Sequence, residues 1–138
     1  SMHSELKYAV ICVDDDEHVL QMLGYQLEKI TNTKTTLLEY FTNPKDVIPC
    51  LDSLVAERIE IIFIIVDYQM PVMNGAQLIK EVKLKYPSMK CVMLSGQASD
   101  YQVTELMDNE MLAVFIPKPW DEELLRKSIG PLMNVGLA

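Results

Sequence analysis

The sequence predicts an α/β fold in which five parallel strands alternate with five helices, and three observations predict it. Short apolar runs rich in β-branched residues recur at five places, each of strand length. Stretches with apolar residues at helical spacing separate them. Each strand run is continuously apolar, as a parallel sheet covered on both faces requires. Right-handed crossovers leave few topologies. Five strands suit the flavodoxin-like, doubly wound (βα)5 order 2-1-3-4-5, in which ligands bind outside the carboxyl ends of the strands.

The elements follow in order. The first strand is expected at Tyr8–Val13, followed by a helix whose stripe is Val19, Leu23, Leu27 and Ile30. The second strand, Thr36–Tyr40, leads to a helix through Val47, Leu51, Leu54 and Val55, with Asn43 as cap and Pro44 as first helical residue. Pro49 falls inside that helix and would remove a backbone hydrogen bond, so the helix is expected to start late or to kink. The third strand, Ile61–Val66, precedes a helix marked by Leu78, Ile79 and Val82. The fourth, Cys91–Leu94, precedes Val103, Leu106 and Met107, and the fifth, Leu112–Ile116, precedes Leu124, Leu125 and Ile129. Gly130-Pro131 is expected to interrupt the last helix. The expected domain is therefore 5–130, with 131–138 a short extra turn, a frayed tail or the start of a linker. Ser1-Met2 reads as a scar of tag removal, and 1–4 as a disordered start.

Composition narrows the function classes. The chain has 138 residues, long enough to bury about two-thirds of its unfolded surface. A net charge of −8 disfavours direct nucleic-acid binding, which needs clustered Lys and Arg. No apolar run approaches the roughly 18 residues that would cross a bilayer. Cys12, Cys50 and Cys91 are odd in number, widely spaced and without a CxxC, which suits structural thiols in a reducing compartment such as the cytoplasm.

The chemistry gathers at the strand ends. The first strand runs into Asp14, Asp15 and Asp16, and the third into Asp67. If these strands are neighbours, both acidic groups leave the same edge. Like charges near 4 Å repel by about 4 kcal/mol at an effective dielectric of 20. A hard divalent cation with oxygen ligands, Mg²⁺ first, is the natural partner. Alone, the Asp run reads equally well as helix capping, a role that falls to Asp16 or Glu17. Capping does not require Asp67; the pairing favours a metal. The fourth strand delivers Ser95 to the same edge and the fifth delivers Lys118. A nucleophilic carboxylate, a metal, a hydroxyl and an ammonium suit phosphoryl chemistry. Trp120 is expected to pack at the base of the last helix, with Asp121 as its cap.

The motifs VDDD, DYQMPVMNG, LSG and KPW, in this order and spacing, resemble the receiver domain of two-component response regulators. The resemblance covers nearly the whole chain. SGQA with KPWD further resembles receivers fused to cyclase, phosphatase or phosphodiesterase outputs. It implies that Asp67 is the phosphoacceptor, served by a sensor histidine kinase, a phosphotransfer protein or a small phosphodonor. Asp15, Asp67 and the backbone carbonyl of Gln69 would bind Mg²⁺, with Asp14 acting indirectly. Lys118 would pair with phosphoryl oxygens, Ser95 would hydrogen-bond one of them, and Phe115 would turn inward as the switch aromatic. Pro119 would be joined to Lys118 through a cis peptide. Gln69 and Gln97 stand where the family tunes dephosphorylation. The resemblance further implies a bacterial, cytoplasmic protein that is no enzyme beyond its own phosphorylation and autodephosphorylation. Its output is either fused or separate. A phosphorylation-dependent homodimer would use the fourth helix, fifth strand and fifth helix, a face that a break at Gly130-Pro131 would disturb.

Two other readings compete. A phosphatase of haloacid-dehalogenase type would take Asp14 as nucleophile and Asp14-Asp15-Asp16 as its Asp-x-Asp pair. Against it, His18 stands where that family prefers Thr or Val, and the chain is short for a cap domain. A pseudo-receiver that only binds partners would usually have lost an acid or the lysine, and here every key position is filled.

Overall fold

A computed structural model describes residues 5–97 and 99–133. The strands are β1 (Tyr8–Val13), β2 (Thr36–Phe41), β3 (Glu60–Asp67), β4 (Cys91–Ser95) and β5 (Val114–Pro117). The helices are α1 (Glu17–Glu28), α2 (Val47–Ala56), α3 (Gly75–Lys85), α4 (Tyr101–Asp108) and α5 (Glu122–Met133). The five strands form one parallel sheet in the order β2-β1-β3-β4-β5. The expected fold class and strand order are thus found.

Strand parity divides the core in two. Val10, Cys12, Phe63, Ile65, Val92, Leu94 and Ile116 pack with Leu20, Leu23 and Leu27 of α1 and Leu125 and Ile129 of α5. The alternate residues Ile11, Val13, Ile64, Val66, Cys91 and Met93 pack with α2, α3 and α4. Both faces being covered, the strand residues are apolar on both parities. Cys12 and Cys91 are buried free thiols, pushed up by desolvation, to about 12 for Cys91; Cys50 is half-buried and free. No helix among the described residues is long and apolar enough to cross a membrane.

The prolines separate into one expectation met and one corrected. Asn43 caps a 3-10 turn, Pro44–Asp46, by accepting from the Lys45 amide, and α2 begins only at Val47. Pro49 then lies in the first turn of α2, where backbone N–H groups have no intrahelical partner to lose. Gly130-Pro131, in contrast, does not interrupt α5, which continues through both to Met133. Pro131 removes only the bond that its amide would give Lys127, and it stands in the last turn of the helix, so little pairing is lost beyond it. The proposed tail therefore begins inside a helix; residues 134–138 and 1–4 lie outside the described residues. β5 also starts two residues later than expected, because Met111 and Leu112 pack on the α2–α4 side as part of the α4–β5 connection.

Candidate functional site

Register explains why four strand ends meet. Val13 pairs with Val66, so the next residues, Asp14 and Asp67, leave β1 and β3 side by side. Asp67 pairs with Leu94 and Ser95 with Pro117, which sets Ser95 and Lys118 on the same rim. The Lys118 amide donates to the Ser95 carbonyl at 3.0 Å, and the Lys118–Pro119 peptide is cis.

The rim encloses a cleft of about 290 Å³ whose lining includes Asp14, Asp15, Asp67, Gln69, Ser95 and Lys118. Asp14, Asp67 and Ser95 are buried, whereas Asp15 and Gln69 are exposed. Carboxylate oxygens of Asp14, Asp15 and Asp67 all lie within 4.8 Å of one another. Lys118 Nζ donates to Asp67 Oδ1 at 2.7 Å and to Asp14 Oδ2 at 3.2 Å. Asp14 Oδ1 accepts from the Asp16 amide at 2.9 Å. Asp16 caps α1 by accepting from the His18 amide, as expected of it.

Charge and burial oppose each other here. Desolvation pushes the Asp67 carboxyl up, the bond from Lys118 pulls it down, and the charge of Asp14 pushes it up again; the net direction is up. Asp14 is likewise raised by burial, against the Asp16 amide and Lys118. Burial lowers Lys118, but its bond to Asp67 and the charges of Asp67 and Asp14 outweigh that and hold the ammonium protonated. One cation thus faces three carboxylates. An all-oxygen donor set with excess negative charge fits a hard divalent cation such as Mg²⁺.

Phe115 lies half-buried beside Met93 in register and packs on the α2–α4 side. Trp120 packs with the α1–α5 side and donates from Nε1 to Gln26 Oε1 at 2.9 Å, while Asp121 Oδ1 accepts from the Leu124 amide at 2.8 Å.

Several supporting residues escaped the sequence reading. Asn74 and Gln77 form a reciprocal capping box at the start of α3, with both bonds at 2.9 Å. Asn-x-x-Gln before an apolar stripe is a legible signal for it. Gly75 donates to the Tyr68 carbonyl at 2.7 Å and approaches the backbone of Asp67 closely. Val72, 83% exposed, takes φ 75°, a left-handed conformation rare for a β-branched residue, in the loop after Asp67. Tyr68 donates from its hydroxyl to Asp100 Oδ1 at 2.7 Å, a contact between positions 32 residues apart that local pattern does not reveal.

A family model described as "response regulator receiver domain" matches residues 10–130. An Arabidopsis thaliana protein described as a two-component response regulator, ARR13, is 32% identical over 120 residues. That alignment covers 84% of this chain but 19% of the relative, so the chain spans about a fifth of that protein's length. Among solved structures, the signal receiver domain of an HD domain-containing protein from Pseudomonas fluorescens Pf-5 superposes with a TM-score of 0.77 at 20% identity, covering 94% of this chain and 88% of that one. Vibrio cholerae CheY4 gives 0.72 at 21% identity, over 91% and 98%. At such identities these structures bear on the fold alone. A bacterial source is not singled out, since ARR13 is a plant protein. The chain belongs to the response regulator receiver domain family.

Proposed function

We propose that Asp67 is the phosphoacceptor of a two-component relay, charged by a sensor histidine kinase or a phosphotransfer protein. The observation that carries this reading is the pairing of buried Asp67 with Lys118 at 2.7 Å inside a trio of carboxylates. A carboxylate oxygen of Asp67 attacks the phosphorus of a phosphohistidine. The new P–O bond forms as the P–N bond breaks, and the imidazole leaves with the electron pair and takes a proton. Mg²⁺, held by Asp15, Asp67 and the backbone carbonyl of Gln69 with Asp14 acting indirectly, would supply positive charge to the phosphoryl oxygens. Lys118 stays protonated and pairs with one oxygen; Ser95 donates to another. Hydrolysis of the aspartyl phosphate by water resets the domain; Gln69 lines the cleft that water must enter, and Gln97 stands two residues beyond Ser95.

Phosphorylation adds nearly two negative charges at the rim. Ser95 shifts toward them, Phe115 turns inward, and the α4–β5–α5 surface changes its affinity for an output, fused or separate, or for a second copy of the chain. Tyr101 and Met107 of α4 and Leu124 of α5 are exposed on these elements, which supports a docking role for that face. The unbroken α5 leaves a homodimer through it sterically open. The setting is the cytoplasm.

Against the phosphatase reading, the two oxygens of Asp14 accept from the Asp16 amide and from Lys118, whereas at Asp67 the bond among the described residues is to Oδ1 alone. The test is intact mass after incubation with a small acyl phosphate and Mg²⁺. Wild type should gain one phosphoryl group and Asp67→Asn none. No adduct on either, with Trp120 fluorescence also unmoved by beryllofluoride, would leave the pseudo-receiver.

A further inference from the structure

Tyr68 follows the acceptor directly, and strand parity carries it to the α2–α4 side with Ile64 and Val66. Its ring is only 6% exposed. Its hydroxyl reaches Asp100 Oδ1, the same oxygen that caps α4 by accepting from the Gln102 amide at 2.9 Å. From Asp100 the bonds lead back to the rim. The Asp100 amide donates to the Gln97 carbonyl at 3.0 Å, and the Gln97 amide donates to Ser95 Oγ at 2.9 Å. Ser95 follows Leu94, whose carbonyl accepts from the Tyr68 amide at 3.0 Å. Tyr68 therefore fastens the β4–α4 connection at both ends, by its backbone at the strand and by its hydroxyl at the helix cap. A hydroxyl donating to a carboxylate is a charge-assisted bond, stronger than its neutral counterpart. In keeping with that, Asp100 is held below the ordinary carboxylate range first by the Tyr68 hydroxyl and then by the Gln102 amide.

We infer that the Tyr68 hydroxyl is a positioning group: it fixes Ser95, Gln97 and the first turn of α4 relative to Asp67, and routes movement of Ser95 to α4. The inference rests on Asp67 being the acceptor. When Ser95 shifts toward a phosphoryl oxygen, the Gln97 amide must follow or lose its partner. The Gln97 carbonyl then pulls on Asp100, whose side chain is restrained by Tyr68. The cap of α4 thus registers what happens at Ser95 without any contribution from Phe115. Asn74 Nδ2 to Gln102 Oε1 at 3.0 Å also ties that first turn to the start of α3, and Lys80 to Glu105 at 2.7 Å ties the turn that follows.

The test uses the whole chain as wild type, Tyr68→Phe, Asp100→Asn and, as a control, the exposed Tyr25→Phe. Phenylalanine keeps the packing at 68 and removes one donor, while asparagine at 100 keeps a side-chain oxygen for both bonds. Three quantities are measured: the phosphoryl adduct by mass, the decay rate of the aspartyl phosphate, and hydrogen exchange over residues 101–104 with and without beryllofluoride and Mg²⁺. In untreated Tyr68→Phe the Gln102 amide should exchange about three- to tenfold faster. The adduct should still form, its decay should change by about threefold or more, and the exchange response to beryllofluoride should shrink. Asp100→Asn, which keeps both bonds but loses the charge that strengthens them, should fall between wild type and Tyr68→Phe, and Tyr25→Phe should behave as wild type. If Tyr68→Phe keeps wild-type decay and a wild-type exchange response, the positioning role is overturned, even where Gln102 has loosened. If wild type forms no adduct, the acceptor reading fails instead, and exchange at Gln102 in untreated protein still decides whether the tie exists.

Discussion

A Cβ at position 75 would stand 2.4 Å from the carbonyl oxygen of Asp67 and 3.0 Å from the Tyr68 Cα, both backbone atoms that cannot swing aside. Gly75 is thus set by close approach. It lets α3 start close to Asp67, with its amide on the Tyr68 carbonyl. Gly75→Ala should therefore push the β3–α3 loop away from the strand, lowering stability by about 1–3 kcal/mol in urea denaturation and slowing adduct formation at Asp67. A variant as stable and as reactive as wild type would show that the loop yields freely. The residues of the cleft differ in how legible they are. Asp14, Asp67, Ser95 and Lys118 each end an apolar run, so counting strands is enough to bring them to one rim. Gly75 could be noticed as a glycine after Asn, but the atom it avoids belongs to the strand before it, and no spacing rule names that contact. Tyr68 looks like one more apolar residue until its hydroxyl is seen on the far side of β4.

Elements are tied to one another by few, specific polar contacts outside the core. Asp52 of α2 accepts from Lys85 of α3 at 2.8 Å and from the Tyr86 hydroxyl just beyond it. Lys85 first, and then Tyr86, hold Asp52 below its ordinary value of 3.8. A carboxylate with a depressed folded-state pKa binds fewer protons folded than unfolded, so its stabilisation is complete above the unfolded value and disappears as pH falls through the folded one. The stability difference between wild type and Asp52→Ala should therefore be constant from neutral pH down to about 4 and should close below it, as read by denaturation at stepped pH. An unchanged difference at the lowest pH would assign the effect to packing of the side chain. Element boundaries show what sequence reasoning weighs badly. Proline was expected to act on two helices, and the penalty depends on where in the helix it falls. Pro49 sits in the first turn of a helix preceded by a separate 3-10 turn. Pro131 sits in the last turn, and α5 tolerates it while Leu125 and Ile129 keep the helix against the sheet. Tertiary packing outweighs local preference there.

At the scale of the molecule, the two-sided sheet and the acidic cleft are consequences of one choice. Burying continuous apolar strands on both faces makes the sheet rigid, and only its carboxyl rim is free to carry polar groups. Asp14 and Asp67 are buried there at 1% and 5% exposure with Asp15 beside them, and Lys118 neutralises only part of their charge. The folded state therefore carries a local repulsion that the unfolded chain, with its carboxylates dispersed in water, does not. A divalent cation that binds only the folded state relieves it and stabilises by mass action, by about 2.7 kcal/mol at a free concentration 100 times the dissociation constant. Titrating Mg²⁺ at constant ionic strength should accordingly raise the melting temperature of wild type progressively, with K⁺ at matched ionic strength as the control for screening. Asp15→Asn removes one charge and one proposed ligand at an exposed position, so its fold should be intact and its Mg²⁺-dependent shift much smaller. Asp67→Asn should start more stable than wild type in metal-free buffer, because a buried like charge is gone, and should also gain less from Mg²⁺. Equal shifts for wild type and Asp15→Asn would place the cation elsewhere on this acidic surface, and a wild type indifferent to Mg²⁺ would leave Lys118 as the sole counter-charge of the cleft.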